Sequence, residues 1–509
     1  MVFSSYPFLF GFLPVVLALC WGVRLVAPPV VAVAVLAAAS VWFAGYWDWH
    51  YLPLLLGTVL FNFTMSWVIH AQANDRARKA VMLLGVAGNL ACLGYFKYAM
   101  FVVGNFEALL GTGFGMAAII LPIGISFYVF TQIAFLVDIW RDRSRPYGPL
   151  DYLLFVTIFP HLIAGPIIHH KEMIPQFRSS GFGRFDLVSV NTGIAYFVLG
   201  LAKKVLIADN IAPIADAVFA AADQGLPVST LEAWAGTLAY ALQLFFDFSG
   251  YADMAIGLGF LIGVRFPQNF DRPYRANSIG DFWRRWHITL SRFLRDYLYI
   301  PLGGNRHGFP RELLALFVTM LLGGIWHGAG WTFVIWGVLH GCYLVIQRLW
   351  QRLNGGKPYD DGSRTLGLGW AITMAAVLVA WVPFRATTLE GMLGIWQAMA
   401  FTGPALPDAW RWALGPAADL LDQVGIGFGG AGYVRLRLWA SAGPLLGVAL
   451  LLALFLPRSD IMAESLFGLR RLAGSGRFVF AWRATALGAA FFASVIYLGY
   501  HATFLYFQF

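Results

Sequence analysis

An all-α polytopic membrane protein is predicted from three observations on the sequence. The chain of 509 residues is 59% hydrophobic and only 12% charged, whereas a soluble domain carries about 25% charged residues. Its apolar runs are long and continuous, unlike the short alternating segments of a transmembrane β-barrel. Its polar residues are also too few to cover a water-facing surface, so much of the surface is expected to face lipid.

Candidate spans are the apolar runs that approach the roughly 20 residues needed to cross a bilayer. Several are short for a full crossing, so we predict about 11 to 13 transmembrane helices plus re-entrant or interfacial helices. The first run lacks a basic leader and a cleavage site, and is expected to be a retained span. The runs are 7–23, 30–46, 52–69, 81–103, 117–140, 152–168, 194–208, 231–248, 254–264, 313–325, 331–349, 366–382, 438–456 and 482–504.

The net charge of +9 predicts cytoplasmic loops and contacts with lipid headgroups, and no nucleic-acid partner, because Lys and Arg accumulate in the cytoplasmic loops of membrane proteins. One basic cluster lies at 76–79 and a second at 141–145. Two predicted spans separate the clusters, so both are expected on the cytoplasmic side. Counting back from them places the N-terminus outside, which in a bacterial cell is the periplasm.

Two stretches interrupt the apolar pattern. Residues 265–311 interleave many arginines with Trp and Tyr, are too polar to span alone, and are predicted to be a basic re-entrant or interfacial segment. Residues 403–435 are rich in Gly and Pro and are predicted to be an extramembrane loop. No internal repeat is visible, so residues 1–509 are expected to form one integral-membrane domain without the inverted repeat of many transporters.

The first candidate functional residue is His327, which lies in the apolar, glycine-rich segment 321–330, LLGGIWHGAG. An ionisable residue inside a membrane usually has a function, although a buried histidine can also be satisfied by a neighbouring carbonyl. The surrounding glycines permit close approach of backbone or substrate, and they also permit tight helix packing. Both interpretations of the glycines can hold together.

A second candidate, His287, lies in the segment 282–291, FWRRWHITLS. On one continuous helix it shares a face with Trp283, while Arg284 and Arg295 lie on an adjacent face. Arginines suit phosphate because their planar donors bind two oxygens at once. The alternative is that these arginines bind lipid headgroups.

Two buried-looking carboxylates, Asp247 and Asp253, lie in the apolar stretch 245–254. They need partners there, and Arg or His is expected. An ion pair that joins helices fits these residues as well as a catalytic role does.

Four more histidines lie in apolar surroundings. His161, His169 and His170 belong to 159–170, FPHLIAGPIIHH, whose prolines and glycine predict a broken helix that lines a cavity. His340 is assigned to packing, because on one continuous helix it would face away from His327.

Familiar catalytic motifs are missing from the sequence. It holds no nucleophile elbow, phosphate-binding loop, HExxH or EF-hand pattern, and its three cysteines have no metal-ligand spacing. We therefore predict no metal and no bound cofactor. A histidine that can take a proton from a hydroxyl, beside an arginine strip, permits acyl or phosphoryl transfer to an alcohol.

The motifs taken together resemble the membrane-bound O-acyltransferase (MBOAT) family, specifically its bacterial alginate O-acetyltransferase branch. The resemblance covers nearly the whole chain and its motifs occur in order. They are MVFSS (1–5), GYFKY (94–98), LPIGISF (121–127), FPHLIAGP (159–166), DFSGY (247–251), FWRRWH (282–287), RDYLY (295–299), LGGNR (302–306), GIWHG (324–328), FR (384–385) and YFQF (506–509).

The resemblance implies a shell of helices around a central tunnel, with catalytic histidines at His327 and His287. The implied reaction takes an acetyl group from a cytoplasmic thioester, acetyl-CoA or similar, for O-acetylation of an exopolysaccharide such as alginate. The implied location is the bacterial inner membrane, and the implied partner is a periplasmic SGNH-type acetyltransferase. Residues expected to bind donor or substrate are Arg284, Arg285, Arg295, Trp326, Asp247 and Tyr251.

Two alternatives stay open at this point. One is a transporter that moves an acyl or polysaccharide unit without chemistry. The other keeps the chemistry and changes the acceptor to peptidoglycan, cellulose or teichoic acid.

Overall fold

A computed structural model describes residues 1–163, 165–355, 367–429, 436–466 and 477–498, together with 432, 434 and 505. These residues are predominantly helical, and their only β-type pairing is an isolated bridge between Leu406 and Phe428, which confirms the all-α prediction. The helices are α1 Leu13–Val26, α2 Pro29–Trp47, α3 Leu52–Ala71, α4 Asp75–Leu93, α5 Ala99–Leu110, α6 Ile125–Asp142, α7 Pro149–Thr157, α8 Phe159–Leu162, α9 His170–Phe177, α10 Leu187–Ala202, α11 Asp209–Asp223, α12 Thr230–Leu261, α13 Ile279–Arg285, α14 Ile288–Leu294, α15 Phe309–His327, α16 Trp331–Leu353, α17 Leu368–Arg385, α18 Leu389–Met399, α19 Ala409–Leu414, α20 Pro416–Gln423, α21 Leu436–Phe455, α22 Ser459–Ile461 and α23 Arg477–Tyr497.

Short π-helical or 3-10 turns extend several of these helices. They are Pro7–Phe12, Trp49–Tyr51, Gly94–Tyr98, Lys203–Ala208, Pro273–Arg275, Arg295–Tyr299 and Met462–Leu466. Within the described residues, 10 helical runs are long and apolar enough to cross a membrane, so the chain is a multi-pass membrane protein, as predicted. The runs are Pro7–Val26, Pro29–Trp47, Trp49–Ala71, Asp75–Leu110, Leu187–Asp223, Thr230–Ile262, Phe309–His327, Trp331–Leu353, Leu368–Arg385 and Leu438–Phe455.

Within the described residues, two of the runs expected from the sequence take a different form. The expected runs 231–248 and 254–264 form one continuous helix, α12, which is 32 residues long. The expected run 152–168 is broken, because α7 ends at Thr157 and α8 spans only Phe159–Leu162. Pro160 clashes with a helical carbonyl four residues earlier, so the predicted broken helix is confirmed. The end of the expected run 482–504 and the motif at 506–509 lie outside the described residues.

The two basic clusters meet at one end of α4 and α6. Arg78 donates hydrogen bonds to the carbonyls of Ile139 and Trp140, each at 3.2 Å. Arg143 contacts Asp75 at 2.7 Å. The clusters therefore lie on the same side, as the span count requires; that this side is the cytoplasm remains a prediction.

Contacts divide the chain into two compact units. The first unit comprises residues 1–201, 251–269 and the described part of 459–508. Its core holds a cluster of aromatic rings from helices distant in sequence. Phe12 meets Phe159 edge to face at 5.2 Å, and Phe43 lies 5.3 Å from Phe12 and 5.7 Å from Phe159. Such pairs add to the apolar burial that holds helices together.

The second unit comprises residues 202–250 and 270–458 as far as they are described. Its central feature is the hairpin of α15 and α16, where the two backbones come very close. A methyl group placed on Gly324 would lie 2.5 Å from the carbonyl oxygen of Phe333, and one on Gly337 would lie 2.8 Å from that of Met320. The tight-packing interpretation is thus confirmed for Gly324, and Gly337 shows the same close approach, since only glycine leaves enough room.

Apart from the start of α15 at Phe309, the described residues of the two interruptions form only short helices. The basic segment 265–311 holds α13 and α14, each of 7 residues, and the turn Arg295–Tyr299. None is long enough to cross a bilayer. The described part of 403–435 holds α19 and α20, of 6 and 8 residues.

Candidate active site

His327 is the last residue of α15, at the turn that leads into α16. Gly328 follows in an extended conformation that ends the helix. The imidazole is buried, with 7% of the residue exposed. The helix end therefore presents this side chain inside the second unit, away from bulk water.

An aromatic cage surrounds the His327 ring. The rings of Trp326, Trp336 and Phe384 each have their centroids 5.0 Å from it. Trp381 completes the cluster, 5.3 Å from Phe384. The cage excludes water from one side of the imidazole and lowers the local dielectric, so hydrogen bonds made there are stronger than in water.

His340, which the sequence assigned to packing, packs in the same cluster. It lies four residues after Trp336 on α16, and the two ring centroids are 4.7 Å apart. Its Nδ1 accepts a hydrogen bond from the indole N–H of Trp283 at 3.3 Å. The geometry expected from the sequence assumed one continuous helix from 327 to 340, whereas α15 ends at His327. The spacing of Trp336 and His340 on α16 was the available signal.

His287 marks a break between α13 and α14, where one continuous helix was expected. Its backbone is left-handed, with φ 43° and ψ 55°, which is uncommon for any residue except glycine. That expectation was wrong, because Trp286 is already extended and ends α13. Strained backbone of this kind concentrates at functional sites.

The His287 side chain is also enclosed by aromatic rings. It is 1% exposed and meets Phe248 edge to face at 4.7 Å. Phe270 stacks against it at 6.5 Å. Burial lowers the pKa of His287 to about 3, because the apolar surroundings disfavour the charged form. The imidazole is therefore neutral near pH 7.

A run of ring contacts joins the surroundings of the two histidines. Phe270 lies 5.1 Å from Trp286, and Trp286 lies 5.0 Å from Trp381. Trp381 contacts Phe384, which contacts His327. The breakpoint at His287 and the hairpin end at His327 are thus parts of one aromatic core.

A cavity of about 360 Å³ lies beside this core. Arg284 and Arg295 line it, as the sequence predicted for a shared face, together with Ser291. Trp283 forms part of its wall. The helix break at His287 therefore does not separate these residues, because α13 and α14 turn toward the same space.

The arginines differ in what they contact. Arg284 is exposed over 64% of its side chain and lies 3.4 Å from Asp281, so most of its donors are available. Arg295 contacts Asp296 at 2.7 Å. Arg285 is held by Asp281 at 2.9 Å and is not among the residues that line the cavity. Only Arg284 and Arg295 of the three are thus positioned to meet a ligand in this cavity.

Gln347 and Arg348 are among the cavity residues that the sequence analysis did not identify. Both come from the second half of α16. Arg348 pairs with Glu312. The side-chain Oε1 of Gln347 accepts a hydrogen bond from the backbone N–H of Gly280 at 2.6 Å. The only sequence signal was that Arg348 lies late in an amphipathic helix. Such a basic residue can line a cavity or lie on a solvated face, so the pattern does not distinguish the two.

Asp247 forms a buried ion pair. The sequence analysis predicted Arg or His as its partner, and this was wrong, because the partner is a lysine. Lys204 lies 2.8 Å from Asp247 and 2.6 Å from Asp209. A lysine held by two carboxylates satisfies the need of buried charges for partners. The structural interpretation of Asp247 is therefore supported by geometry.

The remaining predicted residues have separate settings. Trp326 is part of the cage around His327. Tyr251 and Asp253 belong to the first unit, where Tyr251 stacks on Phe3 at 4.5 Å and Asp253 accepts a hydrogen bond from Ser459 at 2.7 Å.

Comparison with known proteins gives this arrangement a family. The family model for membrane-bound O-acyltransferases matches residues 23–382. The chain belongs to the membrane-bound O-acyltransferase family. The matched range includes His287, His327 and the whole lining of the basic cavity, and of the rings around the two histidines only Phe384 lies just beyond it. The protein is accordingly an O-acyltransferase.

Several relatives of this MBOAT protein have named activities. A probable alginate O-acetylase AlgI of Azotobacter vinelandii is 44% identical over 409 residues, which is 78% of each chain. The peptidoglycan O-acetyltransferase of Helicobacter pylori is 40% identical over 428 residues, 78% of this chain and 80% of the relative. The teichoic acid D-alanyltransferase of Streptococcus thermophilus is 27% identical over 282 residues, 52% of this chain and 68% of the relative.

Proposed function

We propose that the protein is an integral-membrane O-acetyltransferase of the bacterial inner membrane that serves exopolysaccharide acetylation, as in alginate modification. The observation that carries this proposal is the combination of His327 in its aromatic cage with an arginine-lined cavity next to the same core. Membership of an acyltransferase family favours this function over transport without chemistry. Relatives named as probable alginate O-acetylases include two that are 44% identical to this chain, compared with 40% for the peptidoglycan O-acetyltransferase.

The donor is a cytoplasmic thioester, acetyl-CoA or similar. Its phosphates fit Arg284, Arg295 and Arg348, because guanidinium groups bind phosphate oxygens in pairs. The cavity also carries apolar side chains, including Leu294 and Met320, which suit the uncharged acyl arm. No resident cofactor or metal takes part in this proposed transfer.

His327 acts as the general base. The acceptor hydroxyl oxygen attacks the thioester carbonyl carbon while the hydroxyl proton passes to the imidazole. The C–S bond then breaks, and the imidazole returns the proton to the departing thiolate. The aromatic cage keeps water from competing for the acetyl group.

His287 assists as a neutral hydrogen-bond donor. A neutral imidazole carries one N–H, which can polarise the thioester carbonyl as negative charge develops on its oxygen. The left-handed backbone at His287 fixes the direction of this donor through the two short helices that flank it.

The acetyl group passes to a periplasmic SGNH-type acetyltransferase partner, which completes the modification of the polymer. This proposal includes a periplasmic N-terminus, which follows from the two basic clusters and the span count. A peptidoglycan acceptor is the second candidate, because the Helicobacter pylori relative bears that activity in its name.

The decisive experiment uses the purified protein in nanodiscs with acetyl-CoA labelled in the acetyl group. The wild type should transfer label to polysaccharide or to the SGNH partner. His327→Ala should lose about 10²- to 10⁴-fold in rate, the usual contribution of a general base. His50→Ala is the matched control, because His50 is an exposed histidine paired with Asp48 at 2.7 Å.

The outcomes separate the candidates. Wild-type transfer by a well-folded His327→Ala protein would exclude the general-base role. Deleting the gene and measuring ester-linked acetate on purified exopolysaccharide and on peptidoglycan identifies the acceptor, since only one of the two should lose acetate.

A further inference from the structure

Three side chains of the first unit converge where α6 ends and α9 begins. The Oδ2 atom of Asp138 lies 3.3 Å from Nε2 of His169 and 3.1 Å from Nε2 of His170. The three ligand atoms all lie within 4.8 Å of one another. Asp138 and His170 are 3% and 2% exposed, and the His169 side chain is 21% exposed.

The spacing matches the ligand shell of a small divalent ion. Zn–N and Zn–O bonds of about 2.0–2.2 Å at tetrahedral angles place neighbouring ligand atoms about 3.3–3.6 Å apart. The two measured separations from Asp138, 3.1 and 3.3 Å, are close to such edges. Two imidazoles with one carboxylate form a ligand set that suits zinc and similar transition metals, whereas Mg²⁺ and Ca²⁺ prefer oxygen ligands alone.

Tyr147 supplies an outer contact to the same cluster. Its hydroxyl oxygen lies 3.3 Å from Nδ1 of His170. When Nδ1–H donates to this hydroxyl, the Nε2 lone pair faces the Asp138 carboxylate. In this tautomer a cation between Nε2 and the carboxylate, which are 3.1 Å apart, would bind both groups, whereas in the other tautomer Nε2–H donates to Asp138. An outer hydrogen bond like that of Tyr147 commonly orients a metal-bound histidine.

We infer that Asp138, His169 and His170 bind a zinc-type divalent cation. The ion joins the last turn of α6 to the start of α9 across the segment that contains the broken helix after Thr157. The His169 side chain is 21% exposed, so water can reach this side of the ion. The site stabilises the first unit, because a metal that binds only the folded chain adds its binding free energy to folding.

Sequence patterns do not reveal this site. Its two histidines are adjacent in the chain, and Asp138 lies 31 residues before His169, a spacing outside the usual metal motifs. The expectation of no metal rested on those motifs. The inference is independent of the proposed acetyl transfer, since it uses different residues and a different unit.

The test measures zinc on the full-length protein purified without chelators and equilibrated with micromolar zinc chloride. We expect one zinc per wild-type chain and a first shell of N and O atoms in the zinc X-ray absorption spectrum. His169→Ala should bind zinc at least about 100-fold more weakly, and Tyr147→Phe about 10-fold more weakly. EDTA should lower the Tm of the wild type and leave that of His169→Ala unchanged.

His50→Ala is the matched control, since the exposed pair of His50 and Asp48 offers only two ligands and its loss should leave zinc content unchanged. A wild type that holds far less than one zinc per chain after equilibration would overturn the inference and leave a metal-free cluster of Asp and His hydrogen bonds. An unchanged wild-type Tm in EDTA would overturn the stabilising role. Both measurements on the wild type stay decisive if a variant fails to fold.

Discussion

The indole N–H of Trp283 donates a hydrogen bond to Nδ1 of His340 at 3.3 Å. The Trp283 ring also forms part of the wall of the arginine-lined cavity. His340 contacts Trp336, which in turn contacts His327. One side chain thus connects the proposed donor cavity with the cage of the proposed base.

Replacing Trp283 with Phe should separate these two roles. The ring that lines the cavity remains, so the KM for acetyl-CoA should change little. Nδ1 of His340 loses its donor, which costs about 1–3 kcal/mol for a buried polar atom, and kcat should fall because the cage around His327 shifts. Steady-state kinetics and the Tm of the same preparation give both quantities.

Trp396→Phe is the control for Trp283→Phe. Its indole N–H donates to the carbonyl of Val379 at 3.1 Å, so the variant loses a similar hydrogen bond elsewhere in the second unit. It should lower the Tm and leave kcat per folded protein unchanged. A Trp283→Phe enzyme with wild-type kcat would show that His340 has only a packing role.

Arg284 and Arg295 should control donor affinity, and their neighbour Arg285 should not. Arg284→Glu or Arg295→Gln should raise the KM for acetyl-CoA about 10-fold, the equivalent of roughly 1.4 kcal/mol for a charge-assisted contact. Arg285→Gln is the matched control because Arg285 is held by Asp281 away from the cavity lining. Donor titrations on the three variants check this, and equal KM values throughout would mean that the strip binds lipid headgroups instead.

His287 predicts a specific dependence of stability on pH. Its pKa is about 3 in the folded chain, against an ordinary value of 6.5 for an exposed histidine, so below pH 6.5 the unfolded chain takes up a proton that the folded chain does not. The contribution of neutral His287 to the free energy of unfolding is therefore complete above pH 6.5 and is lost as the pH falls toward 3. Asn tolerates the left-handed backbone, so His287→Asn should fold. Below pH 6.5 the free energy of unfolding of the variant should fall by about 1.4 kcal/mol less per pH unit than that of the wild type.

Melting curves of the wild type and His287→Asn at pH 7.5, 6.0 and 5.0 test this prediction. The wild type should lose more stability than the variant on acidification. His50→Ala, which alters an exposed histidine, should follow the wild type. Parallel curves for wild type and His287→Asn would mean that His287 is accessible to protons in the folded state.

Lys204 should be essential for stability rather than for donor binding. Lys204→Met leaves the carboxylates of Asp209 and Asp247 without their shared cation, and breaking a buried pair costs about 3–5 kcal/mol. Lys171→Met is the control, because Lys171 pairs with Asp142 at the surface and such pairs contribute at most about 1 kcal/mol. Unfolding in denaturing detergent measures both. A stable Lys204→Met protein with a raised donor KM would return Asp247 to the donor site.

The sequence was most informative where a polar or charged residue lies in an apolar segment. His327 stands out because a polar ring in an apolar run is rare, and the structure places it in a buried aromatic cage. Arg284 and Arg295 were predicted on a shared face, and they line one cavity. The broken helix after Thr157 follows from the local constraints of Pro160.

The features that were missed depend on contacts between distant segments. The left-handed backbone at His287 could not be predicted, because no Gly or Pro lies beside it in the sequence. The pairing of Lys204 with Asp247 joins residues 43 positions apart, and the bond from Trp283 to His340 joins residues 57 apart. Helical periodicity carries no information on which distant side chain will fill a given space, so these partners became visible only in three dimensions.

The backbone contact of Gly324 with the segment around Phe333 has a consequence for enzyme engineering. Because the backbones of α15 and α16 leave no room for a Cβ atom at Gly324 or Gly337, a larger residue at either position would separate the two helices and displace His327. Attempts to accept longer acyl chains should therefore leave the hairpin glycines untouched and shorten cavity residues such as Leu294 or Leu344. The length of acyl chain that the enzyme accepts would then depend on these cavity residues, while His327 keeps its position.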